Sequence, residues 1–163
     1  MSAARLAAAI ERILDVLIAA ALVVMAAAMV NQDFGRYVLE RAPSWSEELA
    51  GFLMVWLTML GAAAVLRGGG HISVTVLTDR LPPRLLRIAL ALRDTVMVAT
   101  CGVLAWWGIG FARINGAQES AALEIPMTIP YAALPTGMAL IVLMVLAARL
   151  AGEPFPAVPG EEF

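Results

Sequence analysis

The chain is poor in the residues on which most soluble enzymes and metalloproteins depend. It has no lysine, one cysteine (Cys101) and one histidine (His71). A single cysteine excludes an internal disulfide and a cysteine-based zinc site, and a single histidine excludes a haem held by two histidines. Motifs for a serine nucleophile, a zinc protease or a phosphate-binding loop are missing as well. We therefore expect no cofactor, no metal and no enzymatic activity.

Charge is scarce and apolar residues are abundant. Charged residues make up 15% of the 163 residues and apolar residues 61%, against roughly 25% charged in a typical soluble domain. The net charge of −2 gives no reason to expect nucleic acid as a partner. A chain this short cannot bury so much apolar surface inside itself, so we expect the lipid bilayer to be its solvent.

Four apolar runs predict an all-α membrane protein with four transmembrane helices, at about 13–30, 49–66, 87–112 and 129–148. Eighteen helical residues cover about 27 Å, close to the ~30 Å hydrocarbon core. We interpret the first run as a span and not as a cleaved signal peptide, because no soluble domain follows it. The four spans form one domain over 1–151, and the Pro- and Glu-rich segment 152–163 is predicted to be a disordered tail.

The arginines predict an orientation for these spans. Eight of the eleven fall before span one, between spans two and three, or after span four. Three lie on the other side, namely Arg36, Arg41 and Arg113. The positive-inside rule therefore predicts that both termini and the loop between spans two and three are cytoplasmic.

Span two begins with the sequence Ser44-Trp45-Ser46-Glu47, which fits a helix capping box. Glu47 and Glu48 are favourable in the first turn of a helix, and the alternative is a polar contact with a partner at the outer membrane surface. One broad face of the span is bulky and the other is lined by small residues. The bulky face holds Phe52, Trp56, Leu60 and Ala63, and the opposite face holds Gly51, Val55, Thr58 and Ala62. Small residues let another helix approach closely in lipid.

The segment after span two alternates apolar and polar residues from His71 and continues into Leu81-Pro82-Pro83 and two further arginines. This pattern predicts an amphipathic segment at the cytoplasmic interface, with Arg67, His71, Arg84 and Arg87 near lipid head groups. A pH-sensing or partner-contact role for His71 is the alternative. In span four, Pro135 lies far enough inside to predict a kink.

The middles of all four spans lack ionisable residues, although a chain that translocates an ion or a charged solute needs such groups there. The composition therefore favours a helical scaffold for another membrane protein. Three alternatives stay open at this point: a stand-alone four-span transporter, for which Asp15 lies too near the end of span one; a membrane anchor for another complex; and a membrane enzyme.

Beyond this class, the chain resembles a known family. It is similar over nearly its whole length to the small permease subunit of tripartite ATP-independent periplasmic (TRAP) transporters, the DctQ-like family. The motifs that carry the resemblance are Arg36-Tyr37, Trp45-Ser46-Glu47-Glu48-Leu49-Ala50, Trp56, Gly61-Ala62-Ala63, Arg67, His71-Ile72-Ser73-Val74, Leu81-Pro82, Ile129-Pro130-Tyr131 and Leu134-Pro135. One departure is Thr75, near a place where the family often has an acidic residue.

The resemblance implies that the chain pairs with a large permease subunit that carries the solute and sodium sites. It also implies a periplasmic solute-binding protein that delivers an organic acid, such as a C4-dicarboxylate, for ion-driven uptake across the bacterial inner membrane. We expect the partner contacts to include Arg36, Trp45, Glu47, Glu48, Trp56 and Gly61.

Overall fold

The computed structural model describes residues 3–41, 43–67 and 82–150. These residues form α1 (Ala3–Tyr37), α2 (Ser44–Arg67), α3 (Pro83–Ile114), a 3-10 turn (Asn115–Ala117), α4 (Thr128–Tyr131) and α5 (Ala133–Leu150). Four stretches are long and apolar enough to cross a membrane: α1, α2, α3, and α4 together with α5. The predicted all-α class with four spans is confirmed.

The helices extend beyond the apolar runs that predicted them. α1 has 35 residues and α3 has 32, which correspond to about 52 and 48 Å. Both exceed the ~30 Å hydrocarbon core, so these helices are tilted or continue past the membrane surface. α3 already begins at Pro83, a position where the missing N–H of proline costs no helical hydrogen bond.

This early start places Arg84 and Arg87 in the first turns of α3, where we had expected a separate interfacial segment. His71 and the rest of 68–81 lie outside the described residues, as do 152–163, and the side chain of Arg67 is also not described. The interfacial segment and the disordered tail therefore stay predictions.

The fourth span is interrupted at a single residue shortly before Pro135. α4 ends at Tyr131 and α5 begins at Ala133, with Ala132 between them. Proline has no N–H to donate to the carbonyl four residues earlier, which belongs to Tyr131. Helical hydrogen bonds continue on both sides, from Ala132 N to Thr128 O (2.8 Å) and from Thr136 N to Ala132 O (3.1 Å). The two helices therefore form one span, and the kink at Pro135 stays a prediction.

The spans pack in the order α1, α2, α5, α3, with a smaller contact between α1 and α5. α1 and α3 therefore lie at opposite edges and α5 is central. We call the end where α1 stops and α2 starts the loop-rich end, because residues 115–127 also lie there. The end where α1 starts and α5 stops is the terminal end.

The core is built from the bulky face of α2. Leu60 and Ala63 are buried together with Leu14 of α1 and Val145 of α5, and Trp56 packs against this cluster. Most of the small-residue face lies away from the core, since Val55 and Thr58 are exposed and a Cβ added at Gly51 would meet no atom within 4 Å. Its remaining residue, Ala62, packs against the core. Packing within the chain therefore uses mainly the bulky face of α2, although we had expected another helix to approach most closely at the small-residue face.

The closest approach lies instead between α2 and α5, at Gly137. A Cβ at this position would lie 2.7 Å from Met59 Cβ and 3.0 Å from Met59 O. Both atoms belong to the rigid part of α2, so they cannot rotate away. Gly137 therefore fixes the distance between the two central helices.

We predict that Gly137→Ala lowers the free energy of unfolding by about 1–3 kcal/mol, because the added methyl group overpacks a rigid contact. The measurement is the unfolding midpoint of the purified full chain in detergent. Gly61→Ala is the matched control, since it adds the same methyl group in open space and should be neutral or stabilising. Equal midpoints for the two variants would contradict the proposed role of Gly137.

Candidate functional site

The loop-rich end contains a polar cluster centred on the Glu47 carboxylate. Gln32 Nε2 donates a hydrogen bond to Glu47 Oε1 at 2.6 Å, and Arg36 Nη2 donates to the same oxygen at 3.3 Å. The residue Gln32 is only 4% exposed, whereas the side chains of Arg36 and Glu47 are 50% and 67% exposed. The cluster thus has a buried amide beneath an ion pair that is open to partners.

Local sequence accounts for this arrangement. Asn31-Gln32-Asp33 interrupts the apolar run of α1, and Gln32 and Arg36 share one face because they are four residues apart. Glu47 lies in the first turn of α2, where the helix dipole favours an anion. The end of one helix and the start of the next therefore meet with complementary charge.

Two buried polar atoms at this end have no hydrogen-bond partner among the described residues: Gln32 Oε1 and Ser46 Oγ. Ser46 is completely buried. Most buried polar atoms in folded proteins are paired, so the base of the cluster is the least satisfied polar region of the described interior.

Glu48, the next residue, points to a different element. Its Oε2 accepts hydrogen bonds from the backbone N–H groups of Ala122 and Leu123, both at 2.8 Å, and its Oε1 accepts from Ala121 N–H at 3.1 Å. One carboxylate therefore satisfies three consecutive backbone donors. Glu48 is occupied within the chain, and Glu47 is the carboxylate that faces outward.

The segment held by Glu48 is a short hairpin, residues 118–127. Met127 N donates to Gln118 O at 2.8 Å and Ser120 N donates to Ile125 O at 2.9 Å. Glu124 adopts a left-handed backbone with φ of 53° at the turn. Glu48 thus ties the connection between α3 and α4 to the first turn of α2.

A second polar cluster lies toward the terminal end and is internal. Asp94 of α3 is buried and pairs with Arg149 of α5 and with Arg93, whose Nε lies 2.9 Å from Asp94 Oδ1. Arg149 Nη2 also donates to Leu90 O at 3.3 Å. This cluster joins two helices of the chain, so we assign it a structural role.

The structure brings together only part of the predicted contact set. Arg36 and Glu47 meet directly, and Trp45 lies partly exposed beside them in sequence, at the start of α2. Trp56 is half-buried in the core and Gly61 faces open space. Arg84 and Arg87 are exposed at the other end of the layer, on α3.

The sequence did not predict the contact of Gln32, the hairpin held by Glu48 or the pairing of Asp94 with Arg149. A local signal existed for Gln32. Three polar residues, Asn31-Gln32-Asp33, end the apolar run of the first span, and Gln32 lies one helical turn before Arg36. Glu48 lies 73 or more positions from the hairpin residues that it contacts, and Asp94 lies 55 positions from Arg149. No local sequence pattern specifies such distant pairs.

The geometry of the loop-rich end suits binding. Among the residues that the structure describes, no group of three His, Cys, Asp or Glu side chains is placed to hold a metal ion. What the loop-rich end offers is an exposed ion pair above a buried amide, with an aromatic side chain close by in sequence. Such a surface suits recognition of a polar protein surface.

Comparisons with known proteins identify what the chain resembles. The family described as tripartite ATP-independent periplasmic transporters, DctQ component, matches residues 25–152. The isethionate TRAP transporter permease protein DctMQ of Oleidesulfovibrio alaskensis is 29% identical over 73% of this chain and 19% of that protein. The C4-dicarboxylate TRAP transporter small permease protein DctQ of Rhodobacter capsulatus is 35% identical over 60% of this chain and 44% of that protein.

A further relative matches over most of both chains. The sialic acid TRAP transporter small permease protein SiaQ of Vibrio cholerae is 31% identical over 78% of this chain and 72% of that protein. The similarity spans less than half the length of the isethionate and C4-dicarboxylate relatives.

We predict that Glu48→Gln loosens the 118–127 hairpin, because a neutral amide with one oxygen replaces a carboxylate that accepts three N–H groups. Hydrogen–deuterium exchange at Ala122 and Leu123 should become severalfold faster. Glu47→Gln is the control, since Glu47 contacts α1 and not the hairpin. Unchanged exchange in Glu48→Gln would show that the hairpin is held by other contacts.

We predict that Asp94→Asn destabilises the contact between α3 and α5, since it leaves the Arg149 charge without its partner. Breaking a fully buried pair costs roughly 3–5 kcal/mol. The half-exposed Arg149 reduces this cost to about 1–3 kcal/mol. Thermal unfolding in detergent measures it, with Asp15→Asn at an exposed position of α1 as the control.

The double variant Asp94→Asn with Arg149→Gln should lose less stability than the sum of the two single variants, because neither charge is then left unpaired. Strict additivity would argue that the two side chains do not interact.

Proposed function

The chain belongs to the DctQ component family of TRAP transporters, and we propose that it is the fixed membrane scaffold of its transporter, pairing with a large permease subunit. As a family member it is a small permease subunit of the inner membrane and not an enzyme. The proposal extends this identity to the partner, the orientation and the residues that make contact.

The observation that carries the pairing is the lack of charge in the middle of the spans. The stretches 49–66, 95–112 and 125–148 contain no Asp, Glu, Lys, Arg or His, and in α1 none lies between Asp15 and Asp33. Such groups mark the pathway in proteins that move charged solutes. The solute pathway therefore belongs to a companion, and the fused DctMQ relative joins a matching segment to a much longer permease chain.

We assign the loop-rich end to the periplasm. This follows from the arginines, eight of which fall on the side of the termini. In this orientation Arg84 and Arg87 lie on the cytoplasmic side, where their exposed side chains reach anionic head groups. The cluster of Gln32, Arg36 and Glu47 then faces the compartment of the solute-binding protein.

We assign Glu47, Arg36 and Trp45 to the contact with the large subunit or with the docked binding protein. Glu47 has one oxygen engaged with Gln32 and Arg36 while two-thirds of its side chain is exposed. Glu48 is excluded from this contact because its oxygens hold the hairpin. Charged groups at the exposed rim of a protein–protein interface mainly guide the encounter of the two proteins and their relative orientation.

We propose an organic anion as the solute. The relatives carry the names isethionate, C4-dicarboxylate and sialic acid, and each of these compounds has a sulfonate or carboxylate group. A C4-dicarboxylate is the first candidate, and an ion gradient drives its uptake. We assign specificity among these anions to the partner proteins, since the middles of the spans carry no Asp, Glu, Lys, Arg or His.

We predict that Glu47→Lys impairs uptake by the assembled transporter severalfold without preventing membrane insertion, because it places like charges beside Arg36. The measurement is uptake of radiolabelled succinate, isethionate and sialic acid into proteoliposomes that also contain the large subunit, with the binding protein added. Glu119→Lys is the control, because it makes the same charge change at an exposed position of the same end. Normal uptake by Glu47→Lys would remove this residue from the proposed contact.

A separate test addresses the pairing itself. Affinity purification of the full chain from its native membrane should yield a large permease subunit in fixed ratio. Uptake of any of these solutes by the chain reconstituted alone would contradict the scaffold role.

A further inference from the structure

A second feature of the structure, outside the polar cluster, is an apolar groove between α3 and the fourth span. Its volume is about 570 Å³. The lining residues include Ile109, Ala112, Ala132, Pro135, Ala139 and Leu143. The groove lies beside a close approach of the two helices, since a Cβ added at Gly108 of α3 would lie 3.0 Å from Pro135 Cδ.

The polar atoms in this groove are already satisfied. Thr128 Oγ1 donates to Ala112 O at 3.2 Å, and Thr136 Oγ1 donates to Ala132 O at 2.7 Å. Both hydroxyl groups are thereby used by the backbone. The wall consequently presents hydrocarbon and has little to offer a polar ligand or an ordered water.

One charged residue, Arg113, also lines the groove. It lies in the last turn of α3, toward the loop-rich end, and its side chain is exposed. It forms no ion pair with any residue in the described ranges. The groove is therefore amphipathic along its length, apolar where it runs beside α5 and cationic at its loop-rich end.

The depth of Arg113 follows from the uncharged stretch 95–112 of α3, which it directly follows. These eighteen residues cover about 27 Å, close to the ~30 Å hydrocarbon core. Arg113 therefore lies at the edge of the hydrocarbon, where a long cationic side chain reaches the lipid phosphates.

We propose that this groove binds one membrane phospholipid, with an acyl chain against Ala139 and Leu143 and its phosphate on Arg113. A phospholipid matches the groove in both charge and polarity. Its phosphodiester is an anion that can pair with the Arg113 guanidinium, and its acyl chain fills the apolar part. A partner's transmembrane helix is the other occupant that could fill the groove, and the crosslinking test below distinguishes the two. The lipid site is independent of the contact proposed for Glu47.

The test uses the full chain in nanodiscs made of equal parts phosphatidylglycerol and diacylglycerol with identical acyl chains. After release into detergent, native mass spectrometry counts the lipids retained per chain. The wild-type chain should retain one phosphatidylglycerol in preference to diacylglycerol. Equal retention of the two lipids would overturn the proposal, because the phosphate would then contribute nothing.

Two variants address the two halves of the site. Arg113→Gln should lower retention of phosphatidylglycerol roughly fivefold, the effect of removing one cation at the head-group level. Arg41→Gln is its control, since Arg41 is an exposed arginine that does not line the groove. Ala139→Phe should also lower retention by filling the groove, and Leu146→Phe, on the same helix but not in the lining, should not. Unchanged retention in Arg113→Gln would overturn the site.

A final measurement separates lipid from a protein partner. Replacing Ile109, a large lining residue that is 43% exposed, with the photo-crosslinking residue benzoylphenylalanine in native membranes should give adducts of phospholipid mass. Adducts formed mainly with a polypeptide would assign the groove to a partner helix and overturn the proposal. If Ala139→Phe failed to insert, the Arg113→Gln variant and the head-group comparison would still decide the question.

Discussion

Hydrocarbon cannot solvate charge or unpaired backbone groups, and the rest of this structure follows from that constraint. Each backbone group within the bilayer must pair inside its own helix, so the chain consists of long helices with short connections. Each charged side chain must reach an end of a span or find a partner. Asp94 does both, since it borders the uncharged stretch 95–112 of α3 and pairs with Arg149. The same constraint explains why the sequence has no charged residues in the middles of the spans.

With no hydrophobic effect between helices in lipid, packing must come from close contact and from a few polar pairs. Gly137 allows α5 to approach Met59 of α2, and Leu60, Ala63 and Val145 interdigitate nearby. The polar pairs then fix the two ends: Asp94 toward the terminal end, and Glu47 and Glu48 at the loop-rich end. A layer held in this way has a definite shape although little of it is buried.

Two adjacent carboxylates illustrate how helical geometry separates roles. Successive residues on a helix are rotated by about 100°, so Glu47 faces α1 while Glu48 faces the 118–127 hairpin. One side chain remains largely exposed and the other is used to hold the fold. A sequence motif that contains both therefore joins an exposed carboxylate to one that positions the hairpin, and only the contacts in the structure tell them apart.

The sequence was sufficient for the number of spans, because that number depends on local composition. It was not sufficient for the full length of α3, which was predicted over 87–112 and begins at Pro83. A proline in the first turn is compatible with a helix that starts there. The packing face of α2 was also beyond local reasoning. Either face could have turned inward, and the choice depends on Leu14 and Val145, which lie in distant parts of the chain.

The same limits explain why the contacts of Glu47 and Glu48 at the loop-rich end differ in how well the sequence could predict them. Arg36 and Glu47 are separated by one tight connection, so a short distance between them follows from α1 and α2 being antiparallel neighbours. Glu48 and Ala122 are 74 residues apart, and their contact needs α3 and α5 to be placed first. The outward position of Glu47 is therefore a consequence of the whole layer: once the hairpin takes Glu48, the remaining carboxylate is the one that a partner protein can reach.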